Sequence, residues 1–278
     1  MKVALAQLNF HIGNFEQNGD KMVAAVEKAK ANGVELLIFS ELTVCGYPPR
    51  DFLEFEDFTE RCEAVVRRVA ALTDDNIAVV VGSPSRNPRP EGKDLFNSAW
   101  FLTGGEAKHT INKALLPTYD AFDEYRYFEP GTDFNVIEFK GRRMAITVCE
   151  DLWNVGNENP MYTTSPMDEL IKQQPEFIVN LSASPFDHHH QQDRMDVLAA
   201  NCERYGLPIF YVNHVGAQTE LIFDGGSLVV NADGELYDEL AYFEEDYREY
   251  DLDTLIRSTH EAFTPKEVRK DKIALIHD

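Results

Sequence analysis

The chain contains no apolar run of about 18 residues, the length a membrane-spanning helix needs. It is also poor in basic residues, with 26 Lys and Arg against 48 Asp and Glu and a formal charge of −22. Phosphate contacts require clustered Lys and Arg, so nucleic acid is excluded as a partner and the acidic surplus reads as a solvated surface. Cysteine is scarce. Cys45, Cys62, Cys149 and Cys202 are scattered without CxxC spacing, a usage that fits reduced thiols in a cytoplasmic protein. Residues 1–8 alternate like a strand and lack the apolar core and cleavage site of a secretory leader. Low-complexity tracts and internal repeats are missing too. What is present, 44% hydrophobic and 11% aromatic residues in 278, excludes a disordered chain and suffices for a large core.

Strand-like and helix-like stretches alternate from the start. Residues 2–8 read as a strand, and 16–31 as a helix closed by Asn32-Gly33. A strand follows at 34–39, then a helix near 57–72 with Cys62, Val65, Val66 and Val69 on one face. The unbroken apolar run 77–82 predicts a strand buried on both sides. Gly104-Gly105, Lys140-Gly141 and Asp233-Gly234 mark hairpins. Further helices are expected near 166–173 and 190–205, and further strands at 176–181, 208–213, 220–230 and 235–243. Crossovers and hairpins together predict mixed sheets inside and helices outside, an α/β domain over 1–250. Residues 251–278 read as a polar, weakly structured tail.

Three chemically useful side chains stand at apparent strand ends: Glu41 after 34–40, Lys113 after 107–112, and Cys149 after 143–148. Together they supply a base, a cation for developing negative charge, and a nucleophile. Each alone has an ordinary reading, since a cysteine at a strand end is usually a packed small residue. His214, also at a strand end, is a rival base for Cys149. The run His188-His189-His190 invites a metal, but three adjacent residues cannot all face one ion in regular structure, so no metal is expected.

The order Glu, Lys, Cys resembles the nitrilase superfamily, the carbon-nitrogen hydrolases. Longer strings point to a branch, the glutaminase domain of glutamine-dependent NAD synthetases. They are Phe39-Ser-Glu41-Leu-Thr-Val-Cys-Gly-Tyr-Pro-Pro-Arg-Asp51, Lys113-Ala-Leu-Leu-Pro-Thr-Tyr119 with Phe122-Asp-Glu124-Tyr-Arg-Tyr-Phe128, Cys149-Glu-Asp-Leu-Trp153, and Asn180-Leu-Ser-Ala-Ser184-Pro-Phe186. The resemblance implies a four-layer αββα sandwich. It implies Glu41 as general base, Cys149 as nucleophile, Lys113 as oxyanion cation and Glu124 as a second acidic residue. Tyr119 and Ser184 match glutamine-binding positions, and Glu150 is grouped with them. Where many members carry a lysine six residues after this serine, the chain has His190, with Arg194 beyond, so one of these is expected to meet the α-carboxylate.

The implied activity is hydrolysis of L-glutamine to glutamate and ammonia without a cofactor. In the family an attached synthetase domain uses ATP, Mg and deamido-NAD, and the assembly is a homo-oligomer. No Ser-Gly-Gly-x-Asp loop of such a domain is present here, and the expectation is an excised domain acting with a synthetase in cis or in trans. Two alternatives stand beside it: an amidase or carbamoylase for another small amide, and a catalytically silent docking module.

Overall fold

The computed structural model describes residues 1–158, 161–187 and 190–258. The first half comprises β1 (Lys2–Gln7), α1 (Phe15–Ala31), β2 (Leu36–Ile38), α2 (Glu56–Ala70), β3 (Ala78–Arg86), β4 (Leu95–Thr103) and β5 (Glu106–Asn112). The short helix α3 (Glu124–Tyr127) then leads to β6 (Ile137–Phe139), β7 (Arg142–Val148), α4 (Pro166–Leu170), β8 (Phe177–Leu181), α5 (His190–Tyr205) and β9 (Ile209–Val212). The chain closes through β10 (Val215–Gln218), β11 (Leu221–Asp224), β12 (Leu228–Val230), β13 (Leu236–Glu239), β14 (Asp246–Asp251) and α6 (Leu252–Arg257).

Two six-stranded sheets result, ordered β14-β1-β2-β3-β4-β5 and β13-β12-β9-β8-β7-β6, beside the small hairpin β10-β11. Each sheet has a parallel centre, β1-β2-β3 in one and β7-β8-β9 in the other, flanked by antiparallel strands. Three apolar clusters separate the layers. Alternate residues of β1 divide between two of them: Ala4 and Ala6 face α1 and α2, whereas Val3 and Leu5 face the other sheet. The third cluster packs α4 and α5, through Leu170, Leu198 and Cys202, on the second sheet. A strand lined on both faces is apolar where it is buried, which is why 77–82, leading into β3, reads as a continuous run. The layering is therefore helix, sheet, sheet, helix.

The helix ends obey their local chemistry. Asn14 caps α1 by accepting from the Gln17 backbone N–H at 3.3 Å. Gly33, at φ 68°, ends it in the left-handed region.

Two expectations are corrected. The strand read over 220–230 is two, because Gly225 and Gly226 turn left-handed at φ 72° and 57°. A Cβ on Gly226 would stand 2.6 Å from Tyr242 Cζ, so only glycine lets β11 turn into β12 here. The tail read from residue 251 starts later. Asp251 caps α6 by accepting from Thr254 N–H at 2.8 Å, and Leu252 and Leu255 enter the core between the sheets. The rest of the expected tail, from residue 259, lies outside the described residues.

Candidate active site

Glu41, Lys113 and Cys149 each leave the end of a strand, β2, β5 and β7 respectively, and the first two come from one sheet and the third from the other. Glu41 and Lys113 have no exposed surface, and Cys149 has 8%.

Lys113 Nζ donates to Glu41 Oε1 and to Glu124 Oε1, both at 2.8 Å. Its backbone is held on both sides: its N–H donates to Asn97 O, and its carbonyl accepts from Gly131 N–H, each at 2.8 Å. Asn97 Nδ2 spans the same two carboxylates, 2.7 Å from Glu41 Oε1 and 3.3 Å from Glu124 Oε2. Tyr47 donates to Glu124 Oε1 at 2.8 Å. Ala183 N–H reaches Glu41 Oε2 at 3.0 Å, so the second sheet helps hold the carboxylate presented by the first.

The electrostatics follow from burial. Removal from water raises Glu41 to about 7, although Lys113 and Asn97 pull it down. Burial alone would depress Lys113, but the carboxylates of Glu124 and Glu41 outweigh it and keep the ammonium charged far above neutrality. Burial, then the negative field of Glu41, raises the Cys149 thiol, so its resting form is protonated. A carboxylate near 7 beside a protonated thiol and a permanent cation can take a proton at neutral pH while the cation waits for an oxyanion.

Cys149 itself is left-handed, at φ 43°. A non-glycine residue held there is strained, and such strain gathers where a side chain must be presented at a sharp strand-to-helix turn. Asp151 holds that turn. Its Oδ2 accepts Val148 N–H at 3.0 Å, and its Oδ1 accepts Ala114 and Leu115 N–H at 2.9 Å each. One buried carboxylate thus ties the Cys149 turn to the chain just past Lys113, and burial raises it to about 6.

Tyr119 and Ser184 take up separate contacts. Tyr119 Oη donates to Glu150 at 2.9 and 3.0 Å, and Tyr162 donates to the same carboxylate at 2.7 Å. Ser184 is buried, and its backbone N–H donates to Asn213 Oδ1 at 2.8 Å. Arg194 is buried and ion-paired with Asp224, and it donates to Gly225 O at 3.2 Å. His188 and His189 lie outside the described residues, as does the side chain of His190, whose backbone opens α5. The rival base His214 spends its ring nitrogens elsewhere, Nδ1 on Ser40 Oγ at 3.0 Å and Nε2 on Phe10 O at 3.3 Å. Burial lowers it to about 4, so it stays neutral.

Sequence reasoning did not single out Asn97, Asp151, Tyr47 or Tyr162. Asp151 had a signal, standing two residues from the proposed nucleophile. The others act across 27 to 77 positions or from a loop, where no local pattern marks them.

Among curated proteins, the chain is 39% identical to the glutamine-dependent NAD(+) synthetase of a Synechocystis strain, over 90% of this chain and 46% of that protein. It is 35% identical to the Thermotoga maritima protein of the same name, over 91% and 42%. The chain thus spans about half the length of these curated relatives. The solved glutamine-dependent NAD+ synthetase of Acinetobacter baumannii superposes with a TM-score of 0.81 at 33% identity, covering 95% of this chain and 48% of that one. An amidase from Nesterenkonia superposes at 0.73 with 26% identity, covering 91% of this chain and 90% of that one. The family profile described as carbon-nitrogen hydrolase runs from residue 2 to 261, through Glu41, Lys113, Glu124 and Cys149, and the chain belongs to that family.

Proposed function

We propose that this chain is a glutaminase: it hydrolyses the side-chain amide of L-glutamine and releases ammonia for use by an ATP-dependent NAD synthetase domain. The observation that carries the reading is the buried ammonium of Lys113 gripped by Glu41 and Glu124 beside the strained Cys149 turn.

The chemistry follows residue by residue. Glu41 takes the Cys149 proton as the sulfur attacks the amide carbon. The carbonyl oxygen becomes an oxyanion, stabilised by Lys113 Nζ and a backbone N–H, and one such donor is typically worth roughly 3–4 kcal/mol. Collapse of the tetrahedral adduct breaks the C–N bond, and the proton held on Glu41 passes to the departing nitrogen as ammonia leaves. Water then attacks the thioester with Glu41 again as base. Glutamate departs, and the thiol recovers its proton. Glu124, hydrogen-bonded by Tyr47 and Asn97, holds Lys113 in place and keeps it charged.

An amidase for another small amide would use the same three residues, and the Nesterenkonia amidase has the same fold. The names of the curated relatives favour glutamine. A silent module has no use for a dehydrated lysine between two carboxylates, an arrangement that costs several kcal/mol per ion to bury.

The test is intact mass and peptide mapping after incubation with a diazoketone analogue of glutamine, with and without excess L-glutamine. Labelling confined to Cys149 and blocked by glutamine is expected. Labelling that ignores glutamine points to another amide, and a site that reacts only with simple alkylators points to the silent module.

A further inference from the structure

His214 is fully buried, and the proposed chemistry does not use it. It stands two residues past β9 and reaches the ends of two strands of the other sheet, Phe10 after β1 and Ser40 after β2. Its ring nitrogens have different duties. Nε2 lies 3.3 Å from Phe10 O, and a carbonyl only accepts, so Nε2 carries the proton. The ring is neutral, so Nδ1 is bare and accepts from the Ser40 hydroxyl at 3.0 Å. Two aromatic rings flank the imidazole, Phe223 edge-on with centroids 5.2 Å apart and Phe10 at 6.0 Å.

The Ser40 hydroxyl has an alternative partner in Thr43 Oγ1, 3.3 Å away. With Nδ1 taking the Ser40 proton, the Thr43 hydroxyl donates to Ser40 O instead. Each hydroxyl then has one role, and the turn over 40–43 has one form. That turn carries Glu41, and Leu42 within it is left-handed at φ 46°. A strained turn of this kind persists only where its surroundings over-determine it.

We propose that His214 is a positioning residue for the reaction: through its acceptor nitrogen Nδ1 it fixes the 40–43 turn, and so the direction in which Glu41 meets the Cys149 thiol. The inference rests on the reading of Glu41 as the base, and it gives the histidine no proton to transfer. Lys113, Asn97 and Ala183 hold the carboxylate oxygens of Glu41. The backbone that carries them depends on a longer bond, Glu41 N–H to Ser182 O at 3.3 Å, and on this turn. A base that must reach a thiol proton tolerates little misplacement, since a shift of about 1 Å can cost roughly 100-fold in rate.

The experiment measures kcat and KM for glutamine, per folded molecule, in His214→Phe, His214→Gln and Ser40→Ala. Phenylalanine fills the place of the ring and accepts nothing, so kcat is expected to fall ~10–100-fold with KM within about twofold. A glutamine side chain sets an amide oxygen and an amide N–H about as far apart as the two imidazole nitrogens. It can accept from Ser40 while donating to Phe10, and kcat is expected within about threefold of the unaltered protein. Ser40→Ala is expected to lose as much as His214→Phe, and the double variant no more than either, because both act through one hydrogen bond. Nitrogen NMR of the ring is expected to show the Nε2–H tautomer. A role in stability alone would shift the urea midpoint and leave kcat per folded molecule unchanged. An unchanged kcat in folded His214→Phe, a His214→Gln protein equally slow, additive losses with Ser40→Ala, or an Nδ1–H tautomer overturns the proposal. Where His214→Phe does not fold, Ser40→Ala and the tautomer decide it. Turnover of another amide in place of glutamine overturns the glutaminase reading, and the same variants assayed on that amide still decide the role of His214.

Discussion

Removing the side-chain amide of Asn97 should move the pH dependence of the reaction, because that amide helps decide when Glu41 is ionised. Glu41 is fully dehydrated and titrates at about 7. As the proposed general base it must be ionised, so kcat/KM should be flat above that value and fall tenfold per pH unit below it. The 2.7 Å hydrogen bond from Asn97 Nδ2 favours the ionised form. A hydrogen bond to a charged group is worth about 1.5–3 kcal/mol, and one pKa unit corresponds to about 1.4 kcal/mol, so Asn97→Ala alone would raise the base by one to two units. Asn97 also donates to Glu124, but at 3.3 Å that bond is the longer and weaker one, so the contact with Glu41 sets the effect and the shift is upward, by about one unit toward pH 8. The amide cannot compensate by rotating in the unaltered protein, because its Oδ1, buried and without a partner, would then face two carboxylates. The assay is ammonia release, or inactivation by the diazoketone analogue, from about pH 5.5 to 9.5. A lower rate with an unmoved acid limb would refute the argument. It would mean that Asn97 only fills space or that Glu41 is not the base.

Three further substitutions probe the supports of the site. A Cβ on Gly82 would stand 2.6 Å from Ser40 O and 2.7 Å from the Glu41 carbonyl carbon, so Gly82→Ala should displace the base and lower kcat about 100-fold with circular dichroism unchanged. Asp151→Ala strands three backbone N–H groups, at about 1–3 kcal/mol for each that stays buried, and should lower the urea midpoint more than Asp151→Asn, which retains an acceptor for Ala114 and Leu115. Arg194→Ala leaves Asp224 buried without its cation and should cost about 3–5 kcal/mol, read as a fall of roughly 10 °C in Tm, with KM for glutamine unchanged in the protein that remains folded.

Features set by local rules were legible in the sequence. Alternation and turn residues placed β1, β3, β4, β5 and the hairpins at Gly104-Gly105 and Lys140-Gly141, because those depend on neighbours a few positions away. The strand expected over 220–230 runs through Gly225-Gly226, and only the contact with Tyr242 explains why it divides there. The segment after Asp251 looked polar because Leu252 and Leu255 are thinly spaced, yet their three-residue separation puts both on one face of α6. At the site, Glu41, Lys113 and Cys149 stood out as reactive side chains at strand ends. Burial and pairing did not. Lys113 has the sequence signature of a surface charge, and its enclosure depends on Glu41 and Glu124, 72 and 11 positions away. The pairing of Arg194 was illegible for the same reason, since Asp224 meets it from 30 positions away.

The site is a property of the packing between two sheets rather than of either sheet alone. Glu41 and Lys113 leave one sheet, and Cys149 leaves the other. Two sets of polar contacts cross that boundary. Glu41 Oε2 accepts from Ala183 N–H at 3.0 Å and Glu41 N–H donates to Ser182 O at 3.3 Å, while Asp151 accepts from Ala114 and Leu115. Between the sheets, the cluster containing Val3, Leu36, Ile38, Ile146, Val179 and Leu181 fixes how far one can slide on the other. Close-packed interiors do not deform gradually, so a cavity made there is transmitted to both rims. Ile146→Ala, on β7 three residues before the nucleophile, should therefore cost about 2–5 kcal/mol in stability and also slow Cys149 labelling by the glutamine analogue. A conservative Ile146→Val should cost about 1 kcal/mol and leave labelling nearly unchanged. Equal labelling rates for both variants in their folded states would show that the polar contacts alone hold the thiol in register, and that the apolar core between the sheets contributes only stability.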